Sequence, residues 1–312
     1  MERFEFKADD STTISCAKWI PENEPEALIQ IVHGMNEHIG RYDETARFFV
    51  EKGYAVFGED HRGHGLTGKG FQMGHFADKD GYLKVIEDNF TLLKLMKKEY
   101  PGKKLILYGH SMGSFISRNI AWKHGKEIDF LLISGSGNFS SWYIYSNFFL
   151  LSFFSLFKKQ TDTLPFIHNI GMNDLNKCFE PRKTDYDWLS TDPSIAEEFQ
   201  NDPLCKAINS IAFYKDLMSL MKSMQDKTNI EKIPKDLPVF IFSGSMDPVG
   251  KNGKTVKIAY ENYKKSGLRN IKLKIFEGYR HELHKEPVKE QLFNEIISWT
   301  KSFSKNNLKT QK

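Results

Sequence analysis

The chain has 312 residues, 40% of them hydrophobic, which is enough to bury a sizeable core in one large domain or two smaller ones and too apolar for general disorder. Its 44 basic and 40 acidic side chains leave a net charge of only +4, and no basic run is interleaved with aromatics, so composition argues against a nucleic-acid partner. Cys16, Cys178 and Cys205 are odd in number, far apart and without a C-x-x-C pair, so neither a disulfide framework nor a zinc site is expected.

In chain order, the N-terminal stretch "MERFEFKADDSTTIS" has no apolar core and no small-residue cleavage site, so no secretory signal and a cytoplasmic address are expected. Four apolar runs ending in turn-forming or glycine-rich sequence then read as buried strands: Ala27–Gly34, Ala55–Asp60, Lys104–His110 and Phe130–Gly137. Between them, "YDETARFFVEKG" and "YLKVIEDNFTLLKLMKKEY" space their apolar residues three and four apart, as amphipathic helices do. Strands alternating with helices predict a mostly parallel α/β sheet with helices on both faces. The rhythm stops after Gly137 and resumes with strands at Pro238–Asp247 and Ile271–His281, followed by a helix from about Pro287 to Phe303.

The intervening residues are Phe- and Met-rich and broken by Pro165, Pro181, Pro193 and Pro203, which suggests a helical insertion over the strand ends. The predicted organisation is a core of residues 1–137 and 237–305, a helical cap at 138–236 and a flexible tail at 306–312. Within the cap, Trp142 to Phe157 is almost continuously apolar, but it falls short of the ~20 residues a bilayer span needs. It is apolar nearly all round rather than along one stripe. This predicts a wall for an acyl chain, with Phe149 and Phe153 as candidate substrate contacts, or a surface resting on a membrane.

Chemistry concentrates at "LILYGHSMGSFISRN", where Ser111 lies between Gly109 and Gly113 at a strand-to-helix junction. That context makes G-x-S-x-G a nucleophile turn rather than a chance match: the backbone is strained to project the hydroxyl, and the glycines let strand and helix crowd together. A serine needs a base, and the base an orienting acid. Asp247 ends one late strand and His281 ends the next, in the chain order Ser, Asp, His. His284 is the rival base, while Asp192 and Asp202 are rival acids whose Asp-Pro settings also suit turns. The backbone N–H groups of Met112, after the nucleophile, and Met35, in the loop after an early strand, are the expected oxyanion donors.

"HELH" has its histidines three apart rather than four, "DPVGKNGKT" has Pro248 where a phosphate loop needs glycine, and "DHRGHG" lacks partnering ligands. No metal or cofactor is therefore expected for the reaction.

The elements "HGMNEHIGRYDETA", "DHRGHG", "GHSMGS", "SGSMDPVG" and "RHELHKE", in this order, resemble the monoacylglycerol lipase and lysophospholipase group of α/β-hydrolases, within the serine aminopeptidase-like hydrolases. The resemblance covers nearly the whole chain outside the cap. It implies an α/β-hydrolase fold, a triad of Ser111, Asp247 and His281, an oxyanion hole at Met35 and Met112, and hydrolysis of single-chain lipid esters through an acyl-enzyme. Thr67 stands where that group usually has serine, and the cap offers no residue-by-residue match. The alternatives are a proline-iminopeptidase-like enzyme that holds a free amine with Glu197 and Glu198, or a non-catalytic binding protein on the same fold.

Overall fold

The computed structural model describes residues 1–307. Eight strands form one sheet: β1 (Glu2–Lys7), β2 (Thr13–Trp19), β3 (Ala27–Val32), β4 (Tyr54–Glu59), β5 (Lys104–His110), β6 (Phe130–Ser134), β7 (Val239–Gly244) and β8 (Ile271–Phe276). Their spatial order is β1-β2-β4-β3-β5-β6-β7-β8; β2 runs antiparallel to both its neighbours, β1 and β4, and the remaining pairings are parallel. The expected strands are all present; Lys104–His110 has the expected bounds, while the strands expected to reach Gly34, Gly137, Asp247 and His281 end earlier, at Val32, Ser134, Gly244 and Phe276. The N-terminal strands β1 and β2 were not among the expected ones; β1 exposes Glu2, Glu5 and Lys7 and half-buries Arg3, Phe4 and Phe6.

Side-chain alternation along the parallel strands feeds two apolar layers. Leu105 and Leu107 of β5 face one layer, where the helices Gly81–Glu99, Met112–His124, Ile211–Met224 and Lys254–Lys265 pack. Ile106 and Tyr108 face the other, covered by Asp43–Glu51 and Lys289–Asn307. Each fully buried Leu, Ile or Phe in these layers is worth ~1.5–3 kcal/mol, so the central strands form a rigid platform from which loops at their C-terminal ends project.

Between β6 and β7 the chain adds no strand to the sheet and forms the helices Ser141–Phe154, Pro165–Asn176, Pro193–Asn201 and Ile211–Met224. The last of these buries Phe213, Leu220 and Met224 in the same layer as Val85 and Ile116, so it packs with the sheet. The final helix, Lys289–Asn307, starts two residues later and ends four residues beyond the expected span. It absorbs 306 and 307 of the expected tail, while 308–312 lie outside the described residues.

Candidate active site

β5 runs straight into the helix Met112–His124, and Ser111 between them has φ 53° and ψ −124°, a conformation that L-residues adopt only when held there. Its N–H donates to Ser134 O (2.9 Å), and its carbonyl accepts from the Ser114 N–H (2.8 Å) and hydroxyl (2.6 Å). A Cβ on Gly113 would collide with the Val32 carbonyl, and one on Gly109 would meet the Gly113 carbonyl at 2.5 Å. The flanking glycines are thus required by close backbone approach.

Asp247 and His281, 34 residues apart in sequence, meet where the loops after β7 and β8 converge: His281 Nδ1 lies 2.9 Å from Asp247 Oδ1. Asp247 also accepts from the Val249 N–H (2.9 Å) and the Ser243 hydroxyl (3.0 Å). Burial alone would push its carboxyl up. The charge and hydrogen bond of His281, with those two donors, outweigh burial and hold it below the ordinary value. Burial would likewise depress His281, but Asp247, then Glu282 and Glu37, raise it above the ordinary histidine value. His281 Nε2, the nitrogen not facing Asp247, is buried without a protein partner, and the imidazole lines a small pocket together with Ser111, Met35 and His110.

Around the histidine, Trp188 packs at 4.8 Å and His110 at 4.7 Å between ring centroids, and Gly135 (φ 58°) passes close enough that a Cβ would press on His281 Cε1 at 2.8 Å. His284, three residues on, is fully buried, stacks on Tyr42 at 4.5 Å, and has neither ring nitrogen hydrogen-bonded. Burial and the nearby His110 hold it neutral, well below the ordinary histidine value. Asp247 is engaged by His281 and not by His284. Asp192 and Asp202 cap the short helices Pro193–Asn201 and Pro203–Cys205, as their Asp-Pro settings suggest.

The loop after β3 carries Met35 beside Ser111, with Asn36 at φ 56°. It is braced by ion pairs that sequence reasoning missed. Glu37 accepts from the Gly34 N–H, the Tyr42 hydroxyl (2.9 Å) and Arg41 (2.8 Å); Arg41 in turn grips Glu282 with two bonds of 2.7 and 2.9 Å. All three charges are essentially buried, and Glu282 directly follows His281. One guanidinium therefore ties the Met35 loop to the histidine loop. A Glu and an Arg four apart hinted at a local pair, but nothing local pointed to a partner 241 residues away.

"DHRGHG" is a structural turn. Asp60 accepts from the N–H groups of Ile39 (2.8 Å) and Leu66 (3.0 Å), His33 and His61 stack at 3.9 Å, and Arg62 pairs with Asp10 and Asp88. Burial drives His61 down to about 3 and His64 to about 4, so both are neutral.

Above Ser111 opens a cleft of about 950 Å³, walled mainly by apolar side chains. Leu150, Leu151, Phe166, Ile167, Leu217 and Met218 line it together with Ser111, and its volume is far larger than a small ester needs. Phe149 and Phe153, expected as substrate contacts, do not line this cleft. They are 78% and 50% exposed on the outer side of Ser141–Phe154, a helix that buries only Ile144 and Leu151. Because that helix is apolar all round, its sequence carried no phase to say which face turns inward. Trp142, Leu150, Phe166 and Ile170 are both exposed and part of the wall, so the mouth of the cleft merges with an apolar surface. Among the described residues no helix is long and apolar enough to cross a membrane. Glu197 and Glu198 are exposed and do not reach the cleft.

The model of the family described as "Serine aminopeptidase, S33" matches residues 23–288. Human monoglyceride lipase is 28% identical over 295 residues, covering 93% of this chain and 87% of its own length. The monoacylglycerol lipase of Mycolicibacterium smegmatis is 25% identical over 290 residues, 90% of each chain. Among solved structures, a thermostable carboxyl esterase from Bacillus coagulans in complex with glycerol superposes with a TM-score of 0.90 at 28% identity, over 96% of this chain and 98% of its own. The expected α/β-hydrolase fold is therefore present.

Proposed function

Because this chain belongs to the serine aminopeptidase S33 family and is a serine hydrolase, we propose that it cleaves single-chain lipid esters of the monoacylglycerol type through an acyl-enzyme on Ser111. The observation that carries the substrate class is the large apolar cleft opening directly on Ser111. In the reaction, His281 Nε2 takes the Ser111 proton as the hydroxyl oxygen attacks the ester carbonyl, while Asp247 holds Nδ1 and stabilises the imidazolium. The Met35 and Met112 N–H groups receive the developing oxyanion. Collapse expels the glycerol alkoxide, which takes the proton from His281. Water, activated by the same histidine, then releases the fatty acid and regenerates the serine.

The relatives named as lipases support the monoacylglycerol reading, and the large apolar cleft supports a medium or long acyl chain over acetyl, since each methylene buried is worth up to ~0.8 kcal/mol. Substrate of this kind sits in membranes or micelles, and we assign the exposed apolar rim at the cleft mouth to peripheral contact with that surface. An aminopeptidase needs free carboxylates facing the substrate amine. Glu197 and Glu198 stand outside the cleft, and Glu37 and Glu282 are consumed by Arg41. The deciding experiment compares kcat/KM for a long-chain monoacylglycerol, a short-chain nitrophenyl ester and a prolyl anilide. The account expects the first to exceed the second and the third to be negligible; prolyl anilide as the best substrate would overturn it.

A further inference from the structure

Outside the catalytic pocket, three side chains of metal-binding chemistry come together where the Met35 loop meets the β6–β7 segment. His38, three residues after Met35, places Nε2 at 2.9 Å from Asp202 Oδ2. Cys205, a buried free thiol, joins them, so that one nitrogen, one oxygen and one sulfur lie within 4.8 Å of one another. Asp202 uses its other oxygen, Oδ1, to cap the Leu204 N–H at 2.8 Å, which fixes the carboxylate and leaves Oδ2 turned to His38. His38 Nδ1 is buried with no hydrogen-bond partner. A hydrogen-bonded His–Asp pair needs no thiol, and a packed cysteine needs no charged neighbours. A divalent ion of zinc type uses all three donors, at bond lengths of ~2.0–2.3 Å, and keeps water in its fourth position.

We propose that His38, Asp202 and Cys205 form a binding site for a zinc-type divalent cation that staples the Met35 loop to the β6–β7 segment. Binding forms metal–nitrogen, metal–oxygen and metal–sulfur bonds and releases the thiol proton to solvent, with no change of oxidation state, so affinity rises with pH. The site is separate from the Ser111 chemistry, which takes no step through it. Sequence spacing concealed it: His38 and Asp202 are 164 residues apart, and none of the three cysteines stands in a C-x-x-C pair.

The test is titration of the full, metal-free chain with Co²⁺ and Zn²⁺, followed by thiolate-to-cobalt charge-transfer absorption, binding stoichiometry and the thermal midpoint. The expected result is one ion per chain, a thiolate charge-transfer band displaced by Zn²⁺, and a raised midpoint. Cys205→Ser should abolish the band and weaken Zn²⁺ at least tenfold, His38→Gln should weaken it similarly, and Cys178→Ser should leave both unchanged. Esterase turnover of the metal-free variants checks that they are folded. Absence of a band in a folded wild-type chain, or a band that survives Cys205→Ser, would overturn the assignment.

Discussion

The strand ends bury polar side chains, whereas the first helix of the β6–β7 segment exposes apolar ones. Around Ser111 the interior is polar: Glu37, Arg41, Asp247, His281 and Glu282 are each at most 4% exposed. In Ser141–Phe154 the exterior is apolar, with Trp142 at 79% and Phe149 at 78%. A polar interior survives only if nearly every group has a defined partner, so it specifies geometry residue by residue. An apolar wall is specified only in sum and tolerates exchange of its members. Single substitutions should therefore act steeply in the first region and gradually in the second.

The steepest effect is expected for Ser111→Ala, with kcat/KM falling by on the order of 10⁴ or more while the thermal midpoint stays near wild type. His281→Ala should fall nearly as far. His284→Ala should stay within about tenfold, because Asp247 orients only one imidazole. Rates and melting curves measured together would reveal the reverse ranking, which would move the base to His284.

Next in size is Arg41→Met, which strips both Glu37 and Glu282 of their buried counter-ion. Denaturant unfolding should show a loss of about 3–5 kcal/mol. A loss below about 1 kcal/mol would mean that the brace is not what holds the two loops together.

A gentler test is pH. His281 acts as the neutral base, and its folded-state value lies above the ordinary 6.5, so the imidazolium persists to higher pH than in a free histidine. The profile of kcat/KM should therefore rise with pH, lose activity as pH falls through that raised value, and have its acid-limb midpoint above 6.5. A midpoint below 6.5 would show that Asp247 does not stabilise the charged ring.

The smallest effects should come from the apolar region and should divide by face. Leu150→Ser, in the cleft wall, should flatten the rise of kcat/KM with acyl length by a few-fold per two methylenes, on the scale of ~0.8 kcal/mol for each. Phe149→Ser, on the outer side, should leave that slope intact and weaken binding to lipid vesicles. Equal slopes in both variants would erase the distinction between wall and surface.

Much of the polar region was legible because its signals are local. A strand ending in Gly109-His110 just before Ser111, and two later strands ending shortly before Asp247 and His281, announce themselves by apolar runs and turn chemistry within ten residues. What escaped is what only folding creates: Arg41 reaching Glu282, Trp188 settling on His281, and His38 meeting Asp202. The inward face of Ser141–Phe154 was illegible for a different reason. With apolar residues on every side, its periodicity has no phase, and only the packing of Ile144 and Leu151 decides that Leu150 looks in and Phe149 out. The edge strand β1 was hidden by its own solvation, since three of its six residues are exposed and charged.

The proposed acyl-enzyme on Ser111 is tested most directly by treating the full chain with a fluorophosphonate, measuring intact mass and mapping the modified peptide. The account predicts a single adduct per chain on the peptide containing Ser111, formed in step with loss of esterase activity and absent from Ser111→Ala. An adduct on another residue, or activity that persists in the fully labelled protein, would contradict it.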